Sequence, residues 1–179
     1  MTDALYQMTA EYNPVHDRIL FRVSTQKRFE YRVWLTRRIV KSLWGVAVKS
    51  FEAEAVAEVP TPAAQEKPRV KQAVMSMKHQ EAIQSSDFTK KHDTKTKPPP
   101  DVERPLLAVS AEIGKTPEGV TRLIFHTTER KDVNLNLNKE MLHAVCHILQ
   151  KAADKAGWDL QLNVGDAGGV MTANAATLN

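Results

Sequence analysis

Residues 143–147 read HAVCH, which places His143, Cys146 and His147 within little more than one helical turn. Three metal-capable side chains could converge there. A structural zinc asks for four ligands, however, and the neighbouring sequence supplies no fourth. A haem-attachment motif would need a second cysteine. Cys146 borders an apolar stripe, so the expectation is a core thiol flanked by two partly exposed rings, with no metal and no cofactor. GDAGG at 165–169 is glycine-rich, yet it follows no strand and opens no helix, as a phosphate-binding loop must. Carboxylates are spread singly, with no pair set for acid–base work, and no nucleophile sits in a catalytic frame. The expectation is a binding protein rather than an enzyme.

A second stretch carries chemistry of another kind. YRVWLTRRIV at 31–40 crowds Arg32, Arg37 and Arg38 around Trp34, with Arg18 and Arg22 on the strand before it. An indole accepts a stacked base at ~1–3 kcal/mol, and guanidinium groups neutralise phosphates. The charge distribution points to the same third of the chain. Residues 1–50 hold nine Lys/Arg against four Asp/Glu, residues 51–105 hold nine of each, and residues 106–179 hold seven against eight. The excess positive charge that would meet a polyanion therefore lies at the front. Arg18, Arg22, Arg32, Trp34, Arg37 and Arg38 are the candidate nucleic-acid contacts. The alternative makes Trp34, Leu20 and Ile124 the apolar centre of a contact between two parts of the chain, with the arginines on its rim. A protein partner, or a second copy of the chain, then replaces the nucleic acid.

The elements that must position these residues repeat. RILFRVST (18–25) matches RLIFHTTE (122–129), and EYRVWLTRRIV (30–40) matches DVNLNLNKEML (132–142). TAE at 9–11 stands opposite SAE at 110–112. Each half reads as a three-stranded meander followed by a helix. Thr36 and Asn138 are the helix caps, and Gly157 ends the second helix. Alternation of period two puts Ile19, Phe21, Val23, Tyr31, Val33 and Leu35 on one face. Their counterparts in the second half are Leu123, Phe125, Val133, Leu135 and Leu137. The helix stripes Ile39, Val40, Leu43, Val46 and Leu142, Val145, Leu149, Ala152 should pack there.

The expected fold class is thus α+β: two related βββα units, at 1–52 and 105–165, pseudo-duplicated and packed edge to edge or face to face. Between them, 53–104 is rich in Pro, Ala and Lys, with Pro98–Pro100 in a row, and reads as a flexible linker with a transient helix around 70–83. Residues 166–179 read as a disordered tail. In outline, paired βββα repeats are similar to the duplicated single-strand binders of the Pur-alpha and Whirly kind. The similarity is one of topology and transfers no residue.

The single Cys146 excludes an intramolecular disulfide, and the start MTDALYQM lacks the basic and apolar regions of a signal peptide. No apolar run approaches the ~20 residues of a membrane span. The expected location is the cytoplasm, away from any membrane.

Overall fold

A computed structural model describes residues 4–58, 68–88 and 92–165. Its architecture is α+β, a six-stranded sheet with three helices. In chain order the elements are β1 (Leu5–Asn13), β2 (Arg18–Thr25), β3 (Glu30–Leu35), α1 (Arg37–Glu58), α2 (Pro68–Ser85), β4 (Leu106–Lys115), β5 (Thr121–Thr127), β6 (Val133–Leu137) and α3 (Lys139–Lys155). The strands lie side by side in that order. All pairs are antiparallel except β3 with β4, where Val33 and Trp34 run parallel to Leu106 and Leu107.

Alternation decides which face is dry. Ile19, Phe21, Val23, Val33 and Leu35 are buried, as are Leu123, Phe125, Val133, Leu135 and Leu137. They meet Ile39, Val40 and Leu43 of α1 and Leu142, Val145, Leu149 and Ala152 of α3. Trp44 is buried in α1, whereas Val46 is partly exposed, so the stripe sits slightly further round the helix than its aliphatic spacing suggests.

The helices cross over. Besides their own halves, α1 packs on β4 and α3 packs on β1. In a flat sheet β2 and β5 would stand three steps apart, about 14 Å at ~4.8 Å per step. The sheet curls, and α3 touches both β1 and β6. The same curl lets Phe21 on β2 and Phe125 on β5 meet with ring centroids 5.7 Å apart.

Local backbone signals recur with one spacing. Asp17 (φ 47°) and Gly119 (φ 80°) close the first hairpin of each half, and Arg28 (φ 62°) and Arg130 (φ 55°) close the second. Arg28 N–H donates to the Thr25 carbonyl and Arg130 N–H to the Thr127 carbonyl, at 2.8 and 3.1 Å. In both turns the threonine hydroxyl accepts the amide four residues on, from Phe29 or Lys131, at 3.3 Å. The caps keep step: Thr36 Oγ1 accepts from Ile39 N at 3.4 Å and Asn138 Oδ1 from Met141 N at 2.7 Å. Thr25 therefore corresponds to Thr127 and Phe21 to Leu123. Matching RILFRVST to RLIFHTTE by letter slipped that strand by two residues. A slip of two leaves every side chain on its proper face, so the alternation could not detect it.

The middle of the chain differs from the flexible linker expected over 53–104. Helix α1 continues to Glu58, and Pro68–Ser85 forms α2, packed on α3 and α1. Pro68 suits the first helical position, and the run that follows is rich in strong helix formers. Only Met75, His79 and Ala82 of α2 are buried. Further on, Lys97 pairs with Phe29 as an isolated bridge. The chain then passes through buried Pro99 into β4. Residues 59–67 and 89–91 of that linker, and the tail at 166–179, lie outside the described residues. No helix among the described residues is long and apolar enough to cross a membrane.

Candidate nucleic-acid interface

The sheet face opposite the core carries most of the candidate residues. The pairings Leu20↔Trp34 and Trp34↔Leu107 line up a half-buried apolar row across β2, β3 and β4. One step along, Thr9↔Arg22 and Arg22↔Arg32 line up a polar row. The His16 ring, from the β1–β2 turn, leans edge-on against Trp34 with centroids 5.4 Å apart. Arg18 begins β2 beside Asn13, next to Ile19, whose partner Leu35 stands two residues before Arg37. Trp34, Arg18, His16 and Arg37 thus gather at one end of the sheet.

Of the two arrangements expected, edge to edge or face to face, the halves take the first, so Trp34, Leu20 and Ile124 do not form the centre of a contact between them. The halves join through the β3–β4 edge, so the neighbour across from Trp34 is Leu107. Leu107 was out of reach of the sequence argument, because a parallel pair across the linker leaves no local signal.

The arginines are not equivalent. Arg22 makes an exposed ion pair with Glu11 at 3.4 Å. Arg32 donates to the Glu103 carbonyl at 2.7 Å, which holds the entry to β4 against β3. Arg37 and Arg38 open α1 and line a shallow pocket with Lys41, Asp159, Leu160 and Gln161. Two cations at the positive end of a helix dipole oppose each other and the dipole, so an anion there would be stabilised. Part of that charge is answered by Asp17. Its carboxylate accepts from the Trp158 indole at 2.9 Å and the Tyr12 hydroxyl at 3.0 Å. Those bonds, with Arg37 nearby, hold it below the usual carboxylate range.

One corner of this face is covered. Glu30 is buried, with His92 Nε2 at 2.7 Å and the Thr96 hydroxyl at 2.9 Å. Asp93 N–H reaches the Gln7 side chain at 3.0 Å. The second half presents a different surface: Ser110, Glu112, Ile124, His126 and Asn134. His126 stands between Glu112 (3.2 Å) and Asp132 (3.0 Å).

No protein-family model, curated protein or solved structure matches the chain.

The HAVCH residues go elsewhere. His143 and Cys146 are buried, and burial pushes the Cys146 thiol up to about 12. His143 lies deeper than the half-exposed ring expected of it, because α2 covers it. Among the described residues no group of three His, Cys, Asp or Glu is placed to hold a metal ion.

Proposed function

We propose that the chain is a non-catalytic binder of single-stranded nucleic acid, built from two related βββα units, the first of which supplies the binding face. The single observation that carries this is the outward row Leu20–Trp34–Leu107, half-buried and uncovered by α1, α2 or α3, with Arg22 and Arg32 in the next row. An aromatic platform beside guanidinium groups is what single strands use: bases stack on the ring while phosphates lie along the cations. The relatedness of the units rests on the common spacing of Asp17 and Gly119, Arg28 and Arg130, and Thr36 and Asn138. The cytoplasm fits such a role. A protein partner on the same face is the second reading, favoured by the Arg22–Glu11 pair, which leaves the surface mixed in charge rather than uniformly basic.

Binding of the whole protein to labelled oligo(dT) and oligo(rU) across a salt series tests this. Binding should weaken linearly in log–log form as salt rises. Arg22→Ala and Arg32→Ala should each weaken it and reduce the slope by about one, the loss of one phosphate contact. Trp34→Ala should weaken it at nearly unchanged slope, since stacking releases few counterions. Absence of binding to either strand at low salt would leave the protein-partner reading in its place.

A further inference from the structure

Helix α2 is held by an unusual contact. It buries only Met75, His79 and Ala82, on the faces of α1 and α3. His79 Nδ1 lies 3.0 Å from His143 Nδ1 of α3, and both rings are buried. His143 is stacked on Phe51 of α1 at a centroid distance of 3.9 Å, nearly parallel, and His79 leans on the same ring at 6.4 Å. His147, one turn along α3, sits 6.4 Å from His79 and 4.8 Å from Phe88, just past the end of α2. One contact thus ties the middle segment to the helices of both halves.

Two facing imidazole nitrogens can bond in one way: one Nδ1 donates and the other accepts, so the pair must hold complementary tautomers. A first added proton leaves one acceptor and keeps the bond. A second makes both Nδ1 atoms donors, and the contact becomes a repulsion between two buried cations. The surrounding charges do not relieve it. Lys78 of α2 acts on His143 and Lys151 of α3 on the neighbouring His147, and both are positive. Of the α1 carboxylates, Glu58 is engaged by Lys78 and Lys139, Glu54 by Lys115, and Glu52 is exposed.

We propose that the His79–His143 contact is an acid-sensitive latch, which docks α2 on α1 and α3 when both rings are neutral and frees it when they are protonated. Burial, with the neighbouring positive groups, lowers both rings from 6.5 to about 4. The sign follows from linkage. A histidine depressed in the docked state stabilises docking fully above its free value, and that stability drains away as pH falls from about 6.5 toward 4. Each ring then raises the undocked population by roughly ten-fold or more between pH 7 and pH 5. Acid thereby uncovers Phe51 and His143 while leaving the sheet, whose inner face contains no histidine, intact.

Amide hydrogen exchange on the full chain, corrected for the intrinsic pH dependence of exchange, tests this. Between pH 7 and pH 5, amides of α2 should lose protection by roughly ten-fold or more relative to those of β2 and β5. The double variant His79→Leu, His143→Leu, which cannot titrate, should keep α2 protection flat over the same range. His147→Gln should retain the wild-type drop. Equal loss in α2 and the sheet, or a flat α2 in the wild type, overturns the proposal, and neither result depends on the variants folding.

Discussion

The two strand triplets of this protein agree wherever the backbone demands a particular residue type and part company where it does not. Asp17 and Gly119, Arg28 and Arg130, and Thr36 and Asn138 occupy matching turns and caps. Inward positions match in kind: Phe21 with Leu123, Val33 with Leu135, Leu35 with Leu137. At the same spacing the outward positions diverge, Leu20 against Arg122, Arg32 against Asn134 and Trp34 against Asn136. Core packing and turn geometry constrain volume and conformation. The solvent face is released from both, so its character reflects use. One triplet carries an indole and arginines, and the other carries asparagines with a histidine between two carboxylates.

The largest expected effect tests the inward agreement. Phe125→Ala removes a fully buried ring that meets Phe21, and should cost ~3–5 kcal/mol by chemical denaturation. Phe21→Ala should cost a similar amount. The double variant should cost less than their sum, because the rings share one cavity. Additive losses would mean that the curl does not bring the triplets together.

Trp34→Ala probes the outward difference. The ring is only half-buried, so its loss should lower stability clearly less than Phe125→Ala does, while reducing single-strand affinity by ~1–3 kcal/mol. Its counterpart Asn136→Ala should alter neither. A fall in Tm for Trp34→Ala as large as that for Phe125→Ala would make the ring a packing element and remove the platform.

The matching caps predict a smaller effect. Asn138→Ala should cost ~1 kcal/mol, with Asn138→Asp close to neutral, because either oxygen can accept the Met141 amide. Thr36→Ala should cost no more, its bond being longer. Smallest of all, Arg28→Gly and Arg130→Gly should each leave stability unchanged or raise it by up to ~1 kcal/mol. Relief of a left-handed arginine then offsets the extra freedom of glycine in the unfolded chain. Opposite signs at the two positions would show that the turns differ in more than sequence.

Much of this was legible from residue order. Strand alternation identified the buried face, the caps at Thr36 and Asn138 were readable from side-chain chemistry, and the second and third strands of each half fell close to where they form. These are local properties: period, capping and turn preference act over a few residues, so the chain carries them without knowing its fold. The candidate contacts were legible as a basic aromatic stretch, but not as a face. Which arginines are engaged, Arg22 by Glu11 and Arg32 by Glu103, depends on strand register and on a segment 71 residues away.

Tertiary structure alone decided the rest. It placed β3 beside β4, laid α1 on β4 and α3 on β1, and joined His79 to His143 across 64 residues. It also turned Pro68–Ser85 into a docked helix in a stretch whose composition reads as linker. Its residues favour a helix locally, as the transient helix expected around 70–83 reflects, but only packing on α1 and α3 docks it. Contacts between distant segments leave no periodic trace in a single sequence, because their energy belongs to a pairing that exists only once the chain has closed on itself.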